Sequence, residues 1–286
     1  MSTSILELFE FDKSDIRGLI ELSASVGWDY DEYEIRTVMS SGRIVGHKTT
    51  EGKIVSSAAI IPYDNNVASI GMVIVSSEYR GLGLGKEVTQ KCIDFATSDT
   101  SIMLIATEKG KPLYEKMGFR IVDCVHKYLC DTYTPVTPFT YSDVTIEDFC
   151  ESDFPDILHI DSAAFGGTRS KFLQNRINQS KQCLVVKDNE ANIIGYGISI
   201  IGPINLVVGP IVAPDSKTAA FILDRLAFRH QGKVRIDVPS GNEEFMLFLE
   251  ESGFEKVSTP PIMMINSNSM PPRNNTLFGI AAQIFG

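Results

Sequence analysis

With 286 residues the chain is long enough for about two domains of ordinary size, each able to bury its own core. A hydrophobic share of 43% against 22% charged residues excludes wholesale disorder and fibrous structure. Asp and Glu total 36 and Lys and Arg 26, a net charge of −10, which argues against a nucleic-acid-binding surface and suits a cationic substrate such as an amine.

The opening MSTSILELFEFDKSD brings acids before any long apolar run, so no secretory signal is expected. Cys92, Cys124, Cys130, Cys150 and Cys183 form no C-x-x-C, and four His accompany them. Reduced thiols in a cytoplasmic protein are expected, with no disulfide framework and no metal site. Residues 53–61 and 69–75 are rich in β-branched residues and predict strands. A glycine-rich loop follows, then a helix whose Leu84, Val88, Cys92 and Phe95 share one face. Residues 101–106 predict another strand, and Pro112 and Gly118 bracket a short helix. This order predicts an α/β sheet with a site at a strand-to-helix junction.

Residues 131–140, DTYTPVTPFT, read as a linker between a domain at 1–130 and another at 141–286. Residues 193–213 carry no charge, but Gly and Pro punctuate them. They predict two buried strands, 193–201 and 204–212, rather than a membrane span. Asp215 is placed to cap the next helix, and Ser240 with Glu243 to form a capping box on the last one. LYEKMGF (113–119) resembles FLEESGF (248–254), and aligning them brings Val75 near Val212. A degenerate duplication of one α/β unit is inferred.

The chemistry concentrates in residues 72–119. Arg80-Gly81-Leu82-Gly83-Leu84-Gly85 lies between a strand and an amphipathic helix, where backbone N–H groups and a helix N-terminus make an anion cradle. A Walker A loop does not fit: Gly81 to Gly85 is one residue short, and Glu87 follows Lys86 where a hydroxyl is needed. A dinucleotide fingerprint does not fit either, because Gly85 falls where the second of its two spacer residues belongs and Lys86 where its third Gly belongs.

The remaining pattern, R-x-x-G-x-G, resembles motif A of the GNAT superfamily of acyl-coenzyme A-dependent N-acyltransferases. Val75 to Arg80 resembles that family's strand, splayed bulge and Arg-led loop, Ile105-Ala106-Thr107 its next strand, and Leu113 to Phe119 its YEKxGF ending. The likeness is clear over residues 1–130 and faint over 141–286. It implies two GNAT-like mixed-sheet α/β domains in tandem, the second degenerate. It also implies that residues 82–86 (Leu82, Gly83, Leu84, Gly85, Lys86), with Gly81 and Arg80 shaping the loop, hold the pyrophosphate of acetyl-coenzyme A. Val73, Ile74 and Val75 would hold its pantetheine arm, and Tyr114 would protonate the leaving thiolate.

For the general base, Asp29 and Glu108 are the catalytic candidates. Trp28 and Tyr30 could wall a cationic acceptor, and Asp237, at a strand end, is a further base candidate placed to reach the acceptor. The second half has no Arg-led glycine loop, and Leu249 stands where Tyr114 stands, so it is not expected to bind coenzyme A. The expected reaction is acetyl transfer to the primary amine of a small molecule by direct attack, with no metal. Rival readings are a non-catalytic acyl-coenzyme A sensor, a protein lysine acetyltransferase, and an interaction protein. The apolar tail (Leu277, Phe278, Ile280, Ile284, Phe285) offers a docking or homodimer contact.

Overall fold

The computed structural model describes residues 6–64, 66–135 and 144–286. The expected linker residues 136–140 and the expected domain start at Tyr141 lie outside the described residues. The first unit runs β1 (Glu7–Glu10), α1 (Ile16–Ser25), α2 (Glu32–Ser41), β2 (Arg43–Lys48), β3 (Ser56–Pro62), β4 (Val67–Val75), α3 (Leu84–Asp94), β5 (Ser101–Ile105), α4 (Lys111–Lys116) and β6 (Arg120–Cys130). The second runs β7 (Val144–Asp148), α5 (Phe154–Phe165), α6 (Ser170–Gln179), β8 (Gln182–Asp188), β9 (Ile193–Ile201), β10 (Asn205–Val212), α7 (Ser216–Ala227), β11 (Lys233–Pro239) and α8 (Glu243–Glu251). Strands β12 (Glu255–Ser258), β13 (Pro261–Ile265) and β14 (Leu277–Gly279) follow.

The duplication extends through the whole unit. Strands β1 to β4 pair antiparallel in sequence, and β5 joins β4 in parallel. Strands β7 to β10 do the same, and β11 joins β10 in parallel. Val75 and Val212, aligned by sequence, both end the fourth strand of their unit.

The units are joined by an exchange of strands. β13, from the end of the chain, lies between β5 and β6, while the far part of β6 pairs with β11. The division at residue 130 therefore separates the repeats in sequence but not in the sheet, which runs β1-β2-β3-β4-β5-β13-β6-β11-β10-β9-β8-β7 among the described residues. An edge strand left by either unit is completed by the other, which removes an exposed ladder.

Local sequence explains most elements. In α3, Leu84, Val88 and Cys92 are buried at spacings of four, the stripe the periodicity predicts. Asp215 caps α7 by accepting from the Thr218 N–H at 2.8 Å. The predicted capping box on α8 does not form. Asn242 is the N-cap residue and makes no side-chain cap bond, while the Ser240 hydroxyl donates to the Cys124 carbonyl at 3.1 Å. Residues 193–213 are strands, and no helix among the described residues is long and apolar enough to cross a membrane.

The apolar tail is core rather than surface. Leu277, Phe278, Ile280, Ile284 and Phe285 are each 5% exposed or less. The Phe285 ring lies 4.5 Å from that of Phe172, and the Phe285 carbonyl accepts from the Tyr63 hydroxyl at 2.5 Å. The face expected to dock a partner or a second copy is thus consumed inside its own chain.

Candidate active site

Strand β4 carries a bulge and then leaves its neighbour. Its register against β3 shifts between Ser57 and Ala59, and Met72, opposite that shift, has φ +50°. β4 and β5 pair from Val67–Ser101 to Ile70–Leu104 only. Beyond that point Val73, Ile74 and Val75 keep β3 on one side and, among the described residues, have no strand partner on the other. Their backbone groups border an open cleft, as the resemblance implies.

The loop after β4 leads from this cleft to a helix end. Gly81 and Gly83 have φ of +82° and +83°, which glycine adopts without strain, and a Cβ on either would meet no atom within 4 Å. Gly83 is the N-cap of α3 and has no side chain to satisfy the first-turn N–H groups, so those of Leu84, Gly85 and Lys86 are left for an incoming acceptor. Arg80 Nε donates to the Val75 carbonyl at 3.4 Å, tying the loop back to β4. Gly85 packs closely, its Cβ position 3.4 Å from Leu113 of α4 and 3.5 Å from Val75. Open space, exposed N–H donors and a helix N-terminus together fit a pyrophosphate.

Tyr114, on α4, is 7% exposed and packs with Phe119 at 5.9 Å between ring centroids. Burial first, then the neighbouring Cys92, raises its pKa above the ordinary phenol value. The hydroxyl is therefore protonated at neutral pH, as a proton donor must be.

On the other side of the cleft, between the two units, lies a cavity of about 670 Å³. Gly71 and Met72 from the bulge, and Ile105 and Ala106 from the end of β5, form the wall nearest the cleft. Trp28, Asp29, Tyr30 and Glu108 all line it, so the structure brings these four predicted residues together. The Trp28 and Tyr30 rings stand 6.2 Å apart. Burial, then Glu34, raises the Tyr30 pKa.

Asp237 is corrected. It is 1% exposed and lies beneath the cavity wall rather than in its lining. Its carboxylate accepts from Arg235 Nε and from Gln283 Nε2, each at 2.8 Å, and it is these two residues that line the wall. Sequence reasoning also missed Lys127, Arg235 and Arg176 in that wall. For Lys127 and Arg235 the available signal was a cation placed among apolar residues of a strand, as in CVHKYLC and KVRIDVP. Tyr114 does not line this cavity; it belongs to the cluster of Val88, Cys92 and Leu104 beside α3.

Comparison with known proteins decides the family. Residues 7–119 match the model of the Acetyltransferase (GNAT) family, and residues 157–279 match that of an Acetyltransferase (GNAT) domain. The chain is 39% identical over 281 residues to the uncharacterized N-acetyltransferase YitH of Bacillus subtilis (strain 168), covering 98% of each. This chain belongs to the GNAT acetyltransferase family. A glucosamine 6-phosphate N-acetyltransferase of Trypanosoma brucei brucei is 30% identical over 132 residues, which span 40% of this chain and 89% of that protein. Among solved structures, a candidate acetyltransferase of Pyrococcus horikoshii superposes with a TM-score of 0.79 at 20% identity, covering 98% of this chain and 96% of its own. A tandem GNAT protein from the clavulanic acid biosynthesis pathway gives 0.67 at 12% identity over 91% and 98%. The chain is a tandem GNAT N-acetyltransferase with two mixed-sheet α/β domains.

The second GNAT domain is closed at the place where the first is open. β10 and β11 pair from Asn205–Lys233 to Val208–Ile236, four pairs, as β4 and β5 do. Beyond them, Ile211 and Val212 pair with β14 of the chain's own tail. The cleft of the first domain is, in the second, filled by protein.

Proposed function

We propose that the first domain transfers an acetyl group from acetyl-coenzyme A to the primary amine of a small molecule. The observation that carries this reading is the continuity of three features: the cradle at Gly81–Lys86, the cleft along Val73–Val75, and the cavity that begins at Gly71 and Met72. Acetyl-coenzyme A supplies the activated thioester. The cradle N–H groups would take the two pyrophosphate charges, and the β4 backbone would align the thioester carbonyl and offer an N–H to its developing negative charge.

The amine must lose a proton before it attacks. Asp29 and Glu108, both on the cavity wall, are the groups that would receive it, directly or through water. Tyr114 would return a proton to the departing thiolate. A base and an acid thus serve opposite ends of one displacement, and no acyl-enzyme is required. A cavity of this size between the domains suits a small molecule better than a protein lysine. The test is a screen of primary amines with acetyl-coenzyme A, following release of the free thiol. Acetylated product with wild-type protein and none with Gly83→Glu supports the reading, and no turnover across amino acids, polyamines and amino sugars would defeat it.

A further inference from the structure

We infer that the acceptor carries an anionic group, a carboxylate or a phosphate, bound by Lys127 and Arg235 on one wall of the cavity while its amine lies toward Asp29. The inference rests on the acetyl-transfer reading and gives the chemical class of its acceptor.

Strand pairing puts the two cations side by side. β6 and β11 are antiparallel, with Lys127 opposite Asp237 and Leu129 opposite Arg235. Residues directly opposite, and those two positions along, project from the same face. Lys127 and Arg235 are therefore diagonal neighbours, and both line the cavity. The exchange of strands creates this pair, since Lys127 comes from the first repeat and Arg235 from the second.

Their partners differ in a telling way. Arg235 is held from behind: Nε donates to Asp237, and Asp237 is held in turn by Gln283. Its two terminal nitrogens make no hydrogen bond to protein among the described residues, and neither does the Lys127 ammonium. Arg176, another cation of the wall, already donates to Glu34, Gln179 and the Ala281 carbonyl at 2.6 to 2.9 Å. A half-buried ammonium and guanidinium whose N–H groups find no acceptor are an unfavourable arrangement. Burial first, then Arg235, lowers the Lys127 pKa, while Asp237 and Asp29 oppose that shift. A ligand oxyanion supplies hydrogen-bond acceptors to both heads.

The charges across the wall select a zwitterion. The wall carries four cations, Lys127 and Arg235 among them, and four carboxylates, Asp29 and Glu108 among them, so its charges sum to zero. Asp237 is occupied, which leaves Asp29, beside Trp28 and Tyr30, to face the amine end. A neutral or purely cationic amine would satisfy Asp29 and leave Lys127 bare.

The experiment uses full-length protein with acetyl-coenzyme A and matched acceptors: amino acids, their carboxamides, and aminoalkyl or amino-sugar phosphates. Thiol release gives kcat/KM, and calorimetry gives binding without turnover. Anionic acceptors are expected to exceed their neutral analogues by about 10- to 100-fold, the worth of one or two charge-assisted hydrogen bonds. Lys127→Met should shrink that ratio toward one, Arg235→Met should do the same, and Arg235→Lys should restore part of it. The carboxylate and phosphate arms show which oxyanion fits. Carboxamides turned over as well as their acids overturn the anion site while leaving acetyl transfer standing. Anions that bind wild type but not Lys127→Met, with no turnover by any acceptor, uphold the site and overturn the reaction. Neither binding nor turnover of any anion overturns the inference.

Discussion

Ile70 of β4 and Leu104 of β5 are the last residues that face each other across the parallel pair. One residue later the strands part, at Gly71 and the positive-φ Met72, and the cavity begins between them. A bulge spends one residue to turn a strand away from its partner. Here it opens the sheet at the edge of the cavity, and the strand runs on from there through Val75 toward the glycine loop. In the second domain the same departure, after Val208 and Ile236, is closed by β14.

Gly83→Glu should weaken acetyl-coenzyme A binding by at least about 100-fold, because a carboxylate would stand among N–H groups meant for phosphate. The fold should survive: the added Cβ meets no atom within 4 Å, although φ of +83° would cost about 1–2 kcal/mol. Calorimetry on the folded variant checks this, and an unchanged affinity would remove the cradle from the binding site.

Tyr114→Phe should lower kcat by about 10- to 1000-fold and leave acetyl-coenzyme A affinity nearly unchanged. The ring would keep its contact with Phe119, so stability should change little. Single-turnover kinetics measure the chemical step directly; a wild-type rate there would exclude the hydroxyl as the proton donor.

How far the sequence reveals the site depends on distance along the chain. The cradle, the cleft and Tyr114 lie within some forty residues, and each has a local cause: glycine geometry, β-branched strands, a Pro-to-Gly short helix. The strands at 193–201 and 204–212 were legible for the same reason. The exchange of β6 and β13 was not, because strand partnership is a non-local choice that leaves little trace in either segment. That exchange is what sets Lys127 beside Arg235. A charged residue in an apolar strand marks an unusual position without saying which side it serves. The tail was misread because apolarity alone does not distinguish a docking segment from the last piece of a core.

Asp237→Asn should raise the KM for the acceptor by about 3- to 30-fold while leaving the acetyl-coenzyme A KM within about twofold. Asn keeps an oxygen for one hydrogen bond but loses the charge that holds Arg235 in place. A general loss of packing would move both constants together, so the split between them is the readout. Equal changes in the two would make Asp237 a core residue only.

Each chain should bind one coenzyme A. The first domain has the glycine cradle and an open cleft. The second has Ala213-Pro214-Asp215 after its fourth strand, an aspartate capping the helix N-terminus, and β14 in place of the cleft. A pyrophosphate there would meet a carboxylate where the first domain offers free N–H groups. Isothermal titration checks the stoichiometry, and two equivalents per chain would show that β14 can be displaced.

A fragment of residues 1–135 should be poorly soluble and inactive, although it contains every cradle residue and Tyr114. It would lack β13, and with it the partner of Ile102–Ile105 on β5 and of the near part of β6. It would also lack β11, the partner of Val125–Cys130. Both faces of the exchanged strands would then present unpaired backbone groups and apolar side chains, the conditions for aggregation. The loss reaches the cavity, because Arg235 and Gln283 in its wall come from the missing half. Co-expression with residues 144–286 should restore solubility by supplying β11 and β13 in trans. Size-exclusion chromatography with a thiol-release assay measures both effects. A soluble fragment with wild-type turnover would show that the first GNAT domain is complete without the second.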